Sequence, residues 1–363
     1  MREMTSRERI DRILKRQPAD RVGVHESFWG DTKAKWVAEG HVRQEEALED
    51  HFGLDLRKAG GHTVAAWMDY KEEIIEETDE TKLVRNANGA VLRWWKNKSG
   101  TPEHVDFLVK DRAGWEEHIR PHLTAPDAAE RRCNLDVYRA ARDKCRDRNL
   151  FFCWCGINVF ECLHPMCGHE NMLIGMIDDP EWVKDMVTVY ADLILGIQEV
   201  CFSKVGLPDG IFYFEDMGFK HKPFLSPKMY RELIWPAHKR TFDFAHARRL
   251  PVIVHSCGYV EPLVGGLIEA GMDCLQAMEV KAGMDLLRLK KDHGDRIAFM
   301  GGMDIRTLET NDLDVVRTEL ESKLPAAMAG SGYVLHSDHS IPTRVEYETY
   351  RYFVDRGREM GSC

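Results

Sequence analysis

This 363-residue sequence lacks the features by which several large classes of protein are recognised. It has no apolar run that approaches the ~20 residues needed to span a bilayer, and residues 1–10 are too charged to form the core of a signal peptide. The ten cysteines are scattered along the chain. We therefore expect a cytoplasmic protein with reduced thiols, no disulfide framework and no membrane association.

The chain also has fewer basic residues, 50 Lys and Arg, than acidic residues, 60 Asp and Glu. The formal net charge is −10, which argues against non-specific binding to nucleic acid or to an anionic membrane. No Gly-x-Gly-x-x-Gly follows a strand pattern and no Walker-type loop is present, which disfavours the common nucleotide-binding folds. Hydrophobic residues make up 44% of the chain and charged residues 30%. This mixture is typical of a globular protein with a sizeable core.

The stretch with the clearest chemical content is a strand pattern over residues 251–255. β-branched residues bounded by a proline and a glycine are typical of a buried strand, and His255 and Cys257 stand at its end. Positions two apart in extended backbone project to the same side, so the imidazole and the thiol can bind one zinc ion. A buried cysteine beside a hydrogen-bonded histidine would give the same pattern.

Strand and helix patterns alternate through the second half of the chain. Repeated βα units with buried strands indicate a parallel sheet, and a series this long favours closure into a (β/α)8 TIM barrel. A doubly wound open sheet is the alternative. We expect one domain over residues 1–363. The predicted elements are helix 128–148, strand 150–155, helix 180–205, strand 210–215, helix 226–248, strand 251–255, helix 260–270, strand 273–278, helix 285–293, strand 297–300, helix 313–328, strand 333–336 and helix 344–361.

An antiparallel insertion interrupts this order nearer the N-terminus. Two strand patterns, residues 82–85 and residues 90–95, flank the sequence Asn86-Ala87-Asn88-Gly89. Asn-Gly between two alternating strands is a hairpin signal. We therefore predict a β-hairpin insertion within residues 60–110.

Chemically active side chains recur where the predicted strands end. In (β/α)8 barrels the carboxyl ends of the strands meet at one face, where active sites lie. Each such residue alone also fits a helix cap or an ion pair, but their recurrence at one face favours a site. The densest cluster makes His339 or Asp338 a candidate third metal ligand. The strand-end residues are His25, Glu26, Trp154, Cys155, Glu215, Asp216, His255, Cys257, Gln276, Glu279, Gly301, Gly302 and His336 to His339.

Four segments resemble the uroporphyrinogen decarboxylase superfamily. They are residues 225–236, which begin Leu-Ser-Pro-Lys-Met-Tyr, residues 254–258 (Val-His-Ser-Cys-Gly), residues 299–304 (Phe-Met-Gly-Gly-Met-Asp) and residues 340–342 (Ser-Ile-Pro). Within this superfamily the His-x-Cys sequence is similar to the cobamide-dependent methyltransferase branch, whose members bind zinc through this pair and a later cysteine. The resemblance implies a (β/α)8 barrel with a zinc ion at its mouth.

Two departures from the family pattern limit what carries over. True uroporphyrinogen decarboxylases grip the propionates of their substrate with an arginine-rich N-terminal motif, whereas residues 25–29 here are His-Glu-Ser-Phe-Trp. Decarboxylation of a tetrapyrrole is therefore not expected. The late cysteine is also missing, and His339 stands in its place. The resemblance thus implies zinc bound by His255, Cys257 and His339, with Glu215, Asp216 or Glu279 as alternatives for the third ligand.

The predicted ligand set favours one direction of methyl transfer. An imidazole in place of a thiolate leaves more positive charge on zinc, which makes the ion a stronger Lewis acid and suits it to polarising the heteroatom of a methyl ether or amine. We therefore predict a methyltransferase, or O-demethylase, in which Co(I) of a corrinoid takes the methyl group. The chain has no Asp-x-His-x-x-Gly corrinoid motif, so a partner protein must carry the corrinoid.

The remaining strand-end residues are assigned to catalysis or to the substrate. Aromatic side chains at the rim would suit an aryl methyl ether, although tryptophans more often pack in cores. The predicted catalytic residues are Glu215, Asp216, Glu279 and Asp338, and the predicted substrate contacts are His25, Trp29, Trp154, Cys155 and His336.

Three other functions stay open at this point. The protein could transfer a methyl group from methyl-cobalt to a thiol or a folate-type acceptor. It could be a metal-independent decarboxylase or lyase of the same superfamily that uses Asp216 and His339. A third alternative is a binding protein that keeps the barrel and senses a small ligand. The sequence also does not decide between a monomer and a homodimer.

Overall fold

The computed structural model describes residues 2–97 and 100–362. Eight of its strands form one parallel sheet in the order β1-β14-β13-β12-β11-β8-β7-β2. The strands are β1 (Gly23–Val24), β2 (Leu56–Ala59), β3 (Glu73–Glu77), β4 (Thr81–Arg85), β5 (Ala90–Trp95), β6 (Glu103–Phe107), β7 (Phe151–Ile157), β8 (Gly210–Phe214), β9 (Gly218–Phe219), β10 (Lys222–Pro223), β11 (Val252–Ser256), β12 (Cys274–Ala277), β13 (Ala298–Gly301) and β14 (Tyr333–Leu335).

Helices follow most strands of this sheet and cover its outer surface. A π-helical turn, Tyr230–Ile234, joins the tenth helix to the eleventh. The helices are α1 (Ser6–Leu14), α2 (Gly30–Ala38), α3 (Leu48–His51), α4 (Arg112–His118), α5 (Arg120–Leu123), α6 (Ala128–Arg131), α7 (Leu135–Asp147), α8 (His164–Asp178), α9 (Pro180–Lys204), α10 (Pro227–Met229), α11 (Trp235–His246), α12 (Glu261–Ala270), α13 (Leu286–His293), α14 (Ile305–Glu309), α15 (Leu313–Met328) and α16 (Tyr347–Met360).

The sheet closes where its first and last strands meet. The backbone N–H of Asp55, just before β2, donates to the carbonyl of Val24 in β1 over 2.8 Å, and the Asp55 carboxylate accepts from the Val24 N–H over 2.9 Å. The two edge strands are therefore neighbours. The predicted (β/α)8 barrel is confirmed, and the doubly wound alternative is wrong.

A buried ion cluster supports this closure at the amino end of the barrel. The Asp55 carboxylate is fully buried and accepts hydrogen bonds from Arg9 over 2.7 Å and from Arg21 over 2.9 Å. Helix α1, which carries Arg9, inserts Ile10 and Ile13 among the side chains inside the barrel. The amino end is thus plugged by apolar side chains, which leaves the carboxyl end as the open mouth.

The two-residue period of the strands decides which side chains enter the barrel. Cys153 of β7 and Ile253 of β11 belong to the interior cluster, whereas Phe152 and Trp154 pack in the layer between the sheet and the helices. By the same alternation His255 of β11 projects to the interior side at the mouth. Along each strand, side chains that face the barrel interior, and the site at its mouth, therefore alternate with side chains that pack under the helices.

The insertion predicted within residues 60–110 is confirmed as a separate antiparallel sheet. Strands β4 and β5 pair around the predicted Asn-Gly turn, and strands β3 and β6 extend the sheet on either side. The small core of this sheet contains Val84, Ala90 and Leu92. Strand β6 packs against α8 of the barrel. The insertion therefore packs against the barrel near its mouth.

Helix α9 is the most apolar long helix that the described part of the chain contains by the test of length and composition for a membrane span. By length and composition it is apolar enough to cross a membrane, contrary to the expectation that no stretch of the chain is. However, 61% of its most apolar window is buried in the protein, where Val183, Ile194 and Ile197 contribute to the outer core. The helix therefore acts as a core helix of the barrel in this structure.

Candidate metal centre at the barrel mouth

A cavity of about 210 Å³ opens at the carboxyl ends of the strands. Its walls combine charged, imidazole and aromatic side chains from several strand ends and from one loop of the insertion. The lining residues are Ser27, Trp29, Lys58, Thr101, Phe214, Asp216, His255, Cys257, Gln276, Ala277, His336, His339 and Ser340.

Three metal-ligating side chains converge on one wall of this cavity. Nε2 of His255 lies 3.3 Å from Sγ of Cys257 and 3.4 Å from Oδ1 of Asp216, and all three donor atoms lie within 4.8 Å of one another. Zinc bond lengths and tetrahedral angles place a nitrogen and a sulfur ligand about 3.5 Å apart, and a nitrogen and an oxygen ligand about 3.3 Å apart. The separations around His255 therefore fit a tetrahedral zinc site with three protein ligands.

The backbone around Cys257 holds the carboxylate in place. The N–H of Cys257 donates to Oδ1 of Asp216 over 2.8 Å. The next residue, Gly258, has φ of 75°, and a side chain there would collide with the backbone of Gly218, 2.4 Å from its carbonyl carbon. A glycine is therefore required for the close approach of the β11 and β8 loops. That approach brings Asp216 to Cys257.

The charge around the thiol also favours a bound cation. Burial raises the pKa of Cys257, and the nearby carboxylates of Asp216 and Glu279 raise it further. Glu279 accepts a hydrogen bond from the N–H of Gly258 over 2.7 Å and pairs with Lys281 at 3.1 Å. Together with Glu161, these carboxylates create a negative potential at the sulfur. A divalent cation would offset this potential and stabilise the thiolate.

A hydrogen-bonded chain orients the His255 ring. Nδ1 of His255 donates to Oε1 of Gln276, which leaves the lone pair on Nε2 free to face the cavity. Nε2 of Gln276 in turn donates to Nε2 of His336 over 3.2 Å. Burial lowers the pKa of His336 to about 3, so this imidazole is neutral and acts as an acceptor. Such second partners fix the tautomer and direction of a metal-binding histidine.

Lys58 is a cavity residue that the sequence did not reveal. Its ammonium lies 4.4 Å from the centre of the Phe212 ring and donates to Oγ of Ser27 over 3.1 Å. Burial lowers the pKa of this lysine. Among the described residues no arginine lines the cavity, so Lys58 is its cationic group. Strand β2, with two adjacent basic residues, lacks the apolar run by which buried strands are recognised.

Of the predicted third ligands, the structure brings Asp216 to the His255–Cys257 pair. His339 lines the same cavity, but it lies outside the group of three donors. Its ring is 6.2 Å from that of Trp29, between centroids, and Nδ1 lies 3.4 Å from the carbonyl oxygen of Ser340. The geometry therefore favours the carboxylate alternative and leaves His339 on the cavity wall outside the group of three donors.

Three predicted substrate contacts lie outside the cavity lining. Trp154 packs in the outer layer, stacked on His62 at 4.5 Å between ring centroids, because its position in β7 has outward parity. Cys155 has inward parity, but it lies with the side chains that fill the barrel interior. His25 is fully buried, and neither ring nitrogen has a hydrogen-bond partner among the described residues. Trp29 and His336, in contrast, do line the cavity.

Three of the predicted catalytic carboxylates are occupied by backbone or side-chain partners away from the lining. Glu215 accepts from the N–H groups of Phe160 and Glu161, over 2.8 and 3.0 Å, and from His238 over 2.5 Å. These contacts tie together the loops that follow β7 and β8. Glu215 therefore supports the mouth of the barrel rather than facing the cavity.

Asp338 and Glu279 have a similar supporting position. Asp338 accepts from the N–H groups of Val280 over 2.7 Å and Ile305 over 2.8 Å, and burial raises its pKa to about 6. Glu279 accepts a hydrogen bond from the Gly258 N–H, as described above. Of the four predicted catalytic carboxylates, Asp216 alone lines the cavity.

These features define the molecule as a (β/α)8-barrel protein with a candidate metal centre at the carboxyl ends of β8 and β11. The sequence model of the uroporphyrinogen decarboxylase (URO-D) family matches residues 160–360, a span that includes every residue of that centre. The chain belongs to this family. No curated protein sequence matches it.

Comparison with solved structures supports the fold. A methyltransferase from Methanosarcina mazei superimposes with a TM-score of 0.69 over 99% of both chains, at 17% identity. A Xaa-Pro dipeptidase with bound methionine aligns over 62% of this chain and 59% of its own, with a TM-score of 0.30 and 14% identity. The first similarity extends over the whole chain, insertion included, whereas the second is too weak to carry an argument.

Proposed function

We propose that this protein is a zinc-dependent methyltransferase that moves a methyl group between a small methylated substrate and the cobalt of a corrinoid carried by a partner protein. The observation that carries the proposal is the convergence of Asp216, His255 and Cys257 at the mouth of a URO-D family barrel. The methyltransferase of the same fold from Methanosarcina mazei supports it. We expect the reaction to take place in the cytoplasm, without nucleic acid or membrane.

The donor set fits zinc better than a harder cation. A thiolate and an imidazole are ligands that zinc prefers, and three protein ligands leave a fourth position for a substrate atom. Zinc bound by these residues would supply Lewis acidity toward the heteroatom that carries the methyl group. Asp216 is held by the Cys257 N–H, and His255 by Gln276. The ligands are therefore preorganised before any ion binds.

The cavity restricts the substrate to a compact molecule. Its volume of about 210 Å³ is below the range of about 300–1,000 Å³ found for drug-sized ligands. Trp29 and Phe214 provide aromatic walls, and the half-buried Lys58 provides one ammonium group. These features suit a small methyl ether or amine that also carries an acidic group. The insertion closes part of the entrance, because Thr101 lines the cavity.

The same lining weighs against the decarboxylase alternative. A substrate with several carboxylates needs several cations, preferably arginines, which bind carboxylates in a bidentate way. Lys58 is the cation of this cavity, and none of the described arginines contributes to its lining. His255 and Cys257 would also have no evident role in a metal-independent reaction.

The Asp216 carboxylate alters the charge of the proposed zinc centre. Zinc with His255, Cys257 and His339 would keep one net positive charge, whereas a carboxylate in place of the second imidazole makes the centre formally neutral. This formal charge equals that of a zinc centre with two thiolates and one imidazole, so charge alone does not favour either direction of transfer. A carboxylate oxygen is a harder donor than thiolate sulfur, so we retain the methyl ether or amine as the favoured substrate. Transfer to a thiol or folate-type acceptor is the alternative outcome of the test.

The test uses free cobalamin in place of the corrinoid of the partner protein. Zinc-loaded protein is mixed anaerobically with cob(I)alamin and a panel of small methyl ethers and methylamines, and methylcobalamin is followed by its absorption. We expect methylcobalamin from at least one donor with the wild type, none with His255→Ala, and wild-type rates with the control Cys133→Ser. Demethylation of methylcobalamin by a thiol alone would support the alternative direction. Absence of methyl transfer in both directions by zinc-loaded protein would contradict the proposal.

A further inference from the structure

Three histidines outside the barrel-mouth centre form a second group of metal-ligating side chains. His104 lies in β6 of the insertion, and His164 and His169 lie in α8. Their donor nitrogens are all within 4.8 Å of one another. The His164 and His169 rings stack at 4.3 Å between centroids, and His104 lies 5.9 and 5.7 Å from them. Two separate parts of the chain therefore supply one imidazole cluster.

The two ring nitrogens of His164 have different surroundings. Its Nε2 lies 3.2 Å from Oε2 of Glu161, while its Nδ1 is buried and has no hydrogen-bond partner among the described residues. A histidine that binds a metal through one nitrogen commonly donates the other N–H to a carboxylate. A buried nitrogen without a partner costs free energy, and a cation at Nδ1 would remove that cost.

The other two histidines are also free to bind. Neither the His104 nor the His169 side chain makes a hydrogen bond within the described part of the chain, and each contacts aromatic rings instead: His104 lies 5.5 Å from Phe107 and His169 lies 4.9 Å from Phe224. Both rings are therefore available to bind a metal through a ring nitrogen.

The backbone brings the insertion close enough to complete the cluster. Helix α8 is kinked at Gly168, which lies between His164 and His169 and has φ of 77°. A Cβ on Gly168 would lie 2.5 Å from the ring of Phe107. The absence of a side chain at Gly168 thus lets β6 approach α8 closely. Because of this approach His104 reaches the two histidines of the helix.

We propose that His104, His164 and His169 bind a second divalent cation of the zinc class, which clamps strand β6 of the insertion to helix α8. Three imidazole ligands suit zinc, nickel or copper rather than calcium or magnesium. The loop that precedes β6 carries Thr101, which lines the barrel-mouth cavity. The clamp would therefore fix one wall of that cavity. This inference does not depend on the reaction catalysed at the mouth.

One carboxylate, that of Glu161, lies between the histidine cluster and the barrel-mouth centre. Oε2 of Glu161 contacts Nε2 of His164, as described above, and also accepts from the N–H of Asp216 over 3.1 Å. Glu161 thereby links the histidine cluster to the residue that supplies the third ligand of the barrel-mouth centre. Occupancy of the clamp would stabilise the Asp216 backbone as well as the insertion.

Metal content in a variant that lacks the first centre tests this proposal directly. The full chain is prepared without a histidine tag, carrying His255→Ala and Cys257→Ser, and is titrated with Zn²⁺ and with Co²⁺. We expect one metal ion per chain and a cobalt spectrum without a thiolate charge-transfer band. Adding His104→Ala or His169→Ala should abolish this binding, while adding His118→Ala, a histidine outside both groups, should leave it unchanged.

The possible results separate the two centres. If the wild type binds one more metal ion than the His255→Ala, Cys257→Ser protein, the barrel-mouth centre is real whatever happens at the histidines. If His104→Ala and His104→Gln, both folded by circular dichroism, bind as much metal as their parent, the clamp is refuted. Zinc should also protect residues 73–107 from limited proteolysis in the parent but not in either His104 variant, and equal protection in all of them would refute the clamp as well.

Discussion

Oε1 of Gln276 accepts a hydrogen bond from Nδ1 of His255. The two residues lie opposite each other on the paired strands β12 and β11, so the contact is built into the register of the barrel. It presents the Nε2 lone pair of His255 to the cavity. A neutral amide acceptor does this without adding charge to the buried chain.

Replacing Gln276 by leucine should therefore weaken the binding of zinc without removing a ligand. Loss of a partner that orients a metal-binding histidine typically lowers metal affinity about 10–100-fold, and we expect a decrease of this size, measured by competition with a chromophoric chelator. Gln198→Leu is the matched control, because Gln198 is also buried but donates to Tyr213 in the outer layer. Equal zinc affinity in the Gln276→Leu and Gln198→Leu proteins would contradict the role given to Gln276.

Lys58 should act on substrate binding rather than on the metal. A hydrogen bond between an ammonium and a carboxylate contributes about 1.5–3 kcal/mol, so we expect Lys58→Met to raise KM about 10–100-fold for a donor that carries an acidic group. The zinc content should stay unchanged. Lys33→Met, on the exposed side chain that bonds the Gln44 carbonyl, is the control in steady-state kinetics. A KM within two-fold of wild type for Lys58→Met would remove this lysine from the substrate site.

Asp55 should be among the residues most important for stability. Asp55→Asn leaves Arg9 and Arg21 facing a neutral group in a buried cluster, and breaking such a pair typically costs about 3–5 kcal/mol. We expect a decrease of about 3 kcal/mol in the free energy of unfolding, measured by urea titration, because Arg9 keeps Asp20 as a second partner. The exposed pair of Asp11 with Lys15 gives the contrast, since Asp11→Asn should cost less than about 1 kcal/mol. Similar losses for both variants would mean that the cluster does not hold the barrel closed.

Glu26 should make stability depend on pH in an unusual direction. Burial raises the pKa of this carboxyl to about 8, above its ordinary value of 4.5, so between these values the folded protein holds a proton that the unfolded chain releases. The neutral carboxyl therefore stabilises the protein fully below pH 4.5, and this contribution is lost as pH rises through about 8. The Tm of Glu26→Gln minus that of the wild type should become more positive from pH 5 to pH 8. A difference independent of pH would show that Glu26 is ionised throughout.

The barrel was predictable because its signal is repeated along the chain. The buried strands β7, β8 and β11 to β14 each give an apolar run, and each fell within about two residues of its predicted position. Strand β2 was missed because Arg57 and Lys58 interrupt any apolar run. Tertiary contacts explain them: Arg57 pairs with Asp50, and Lys58 reaches past the Phe212 ring to the cavity.

Helix breaks were harder to foresee than helices. The single helix predicted over residues 128–148 divides into α6 and α7. Arg132, between them, donates to the carbonyls of Ala65 and Ala66, and Asn134 caps α7 through the Val137 N–H. Arg132 thus secures the chain that enters the insertion, a contact between segments that no local pattern contains.

The sequence predicts the His255–Cys257 pair of the candidate site, but it does not decide among the candidates for the third ligand. Two-residue periodicity alone places His255 and Cys257 on one side of β11. The third ligand depends on how closely the β8 loop approaches β11, which the contact between Gly218 and Gly258 sets. The alternation of side chains along β7 also excludes Trp154 from the site, because Cys153 and the other odd positions of this strand face inward.

Diffraction from crystals of zinc-loaded protein at the zinc absorption edge tests the central claim most directly. We predict an anomalous peak at the barrel mouth within about 2.0–2.3 Å of Oδ1 of Asp216, Nε2 of His255 and Sγ of Cys257. A peak bonded to His339 with Asp216 turned away, or no peak beside His255 and Cys257 at full zinc loading, would contradict the ligand assignment on which the proposed methyl transfer depends.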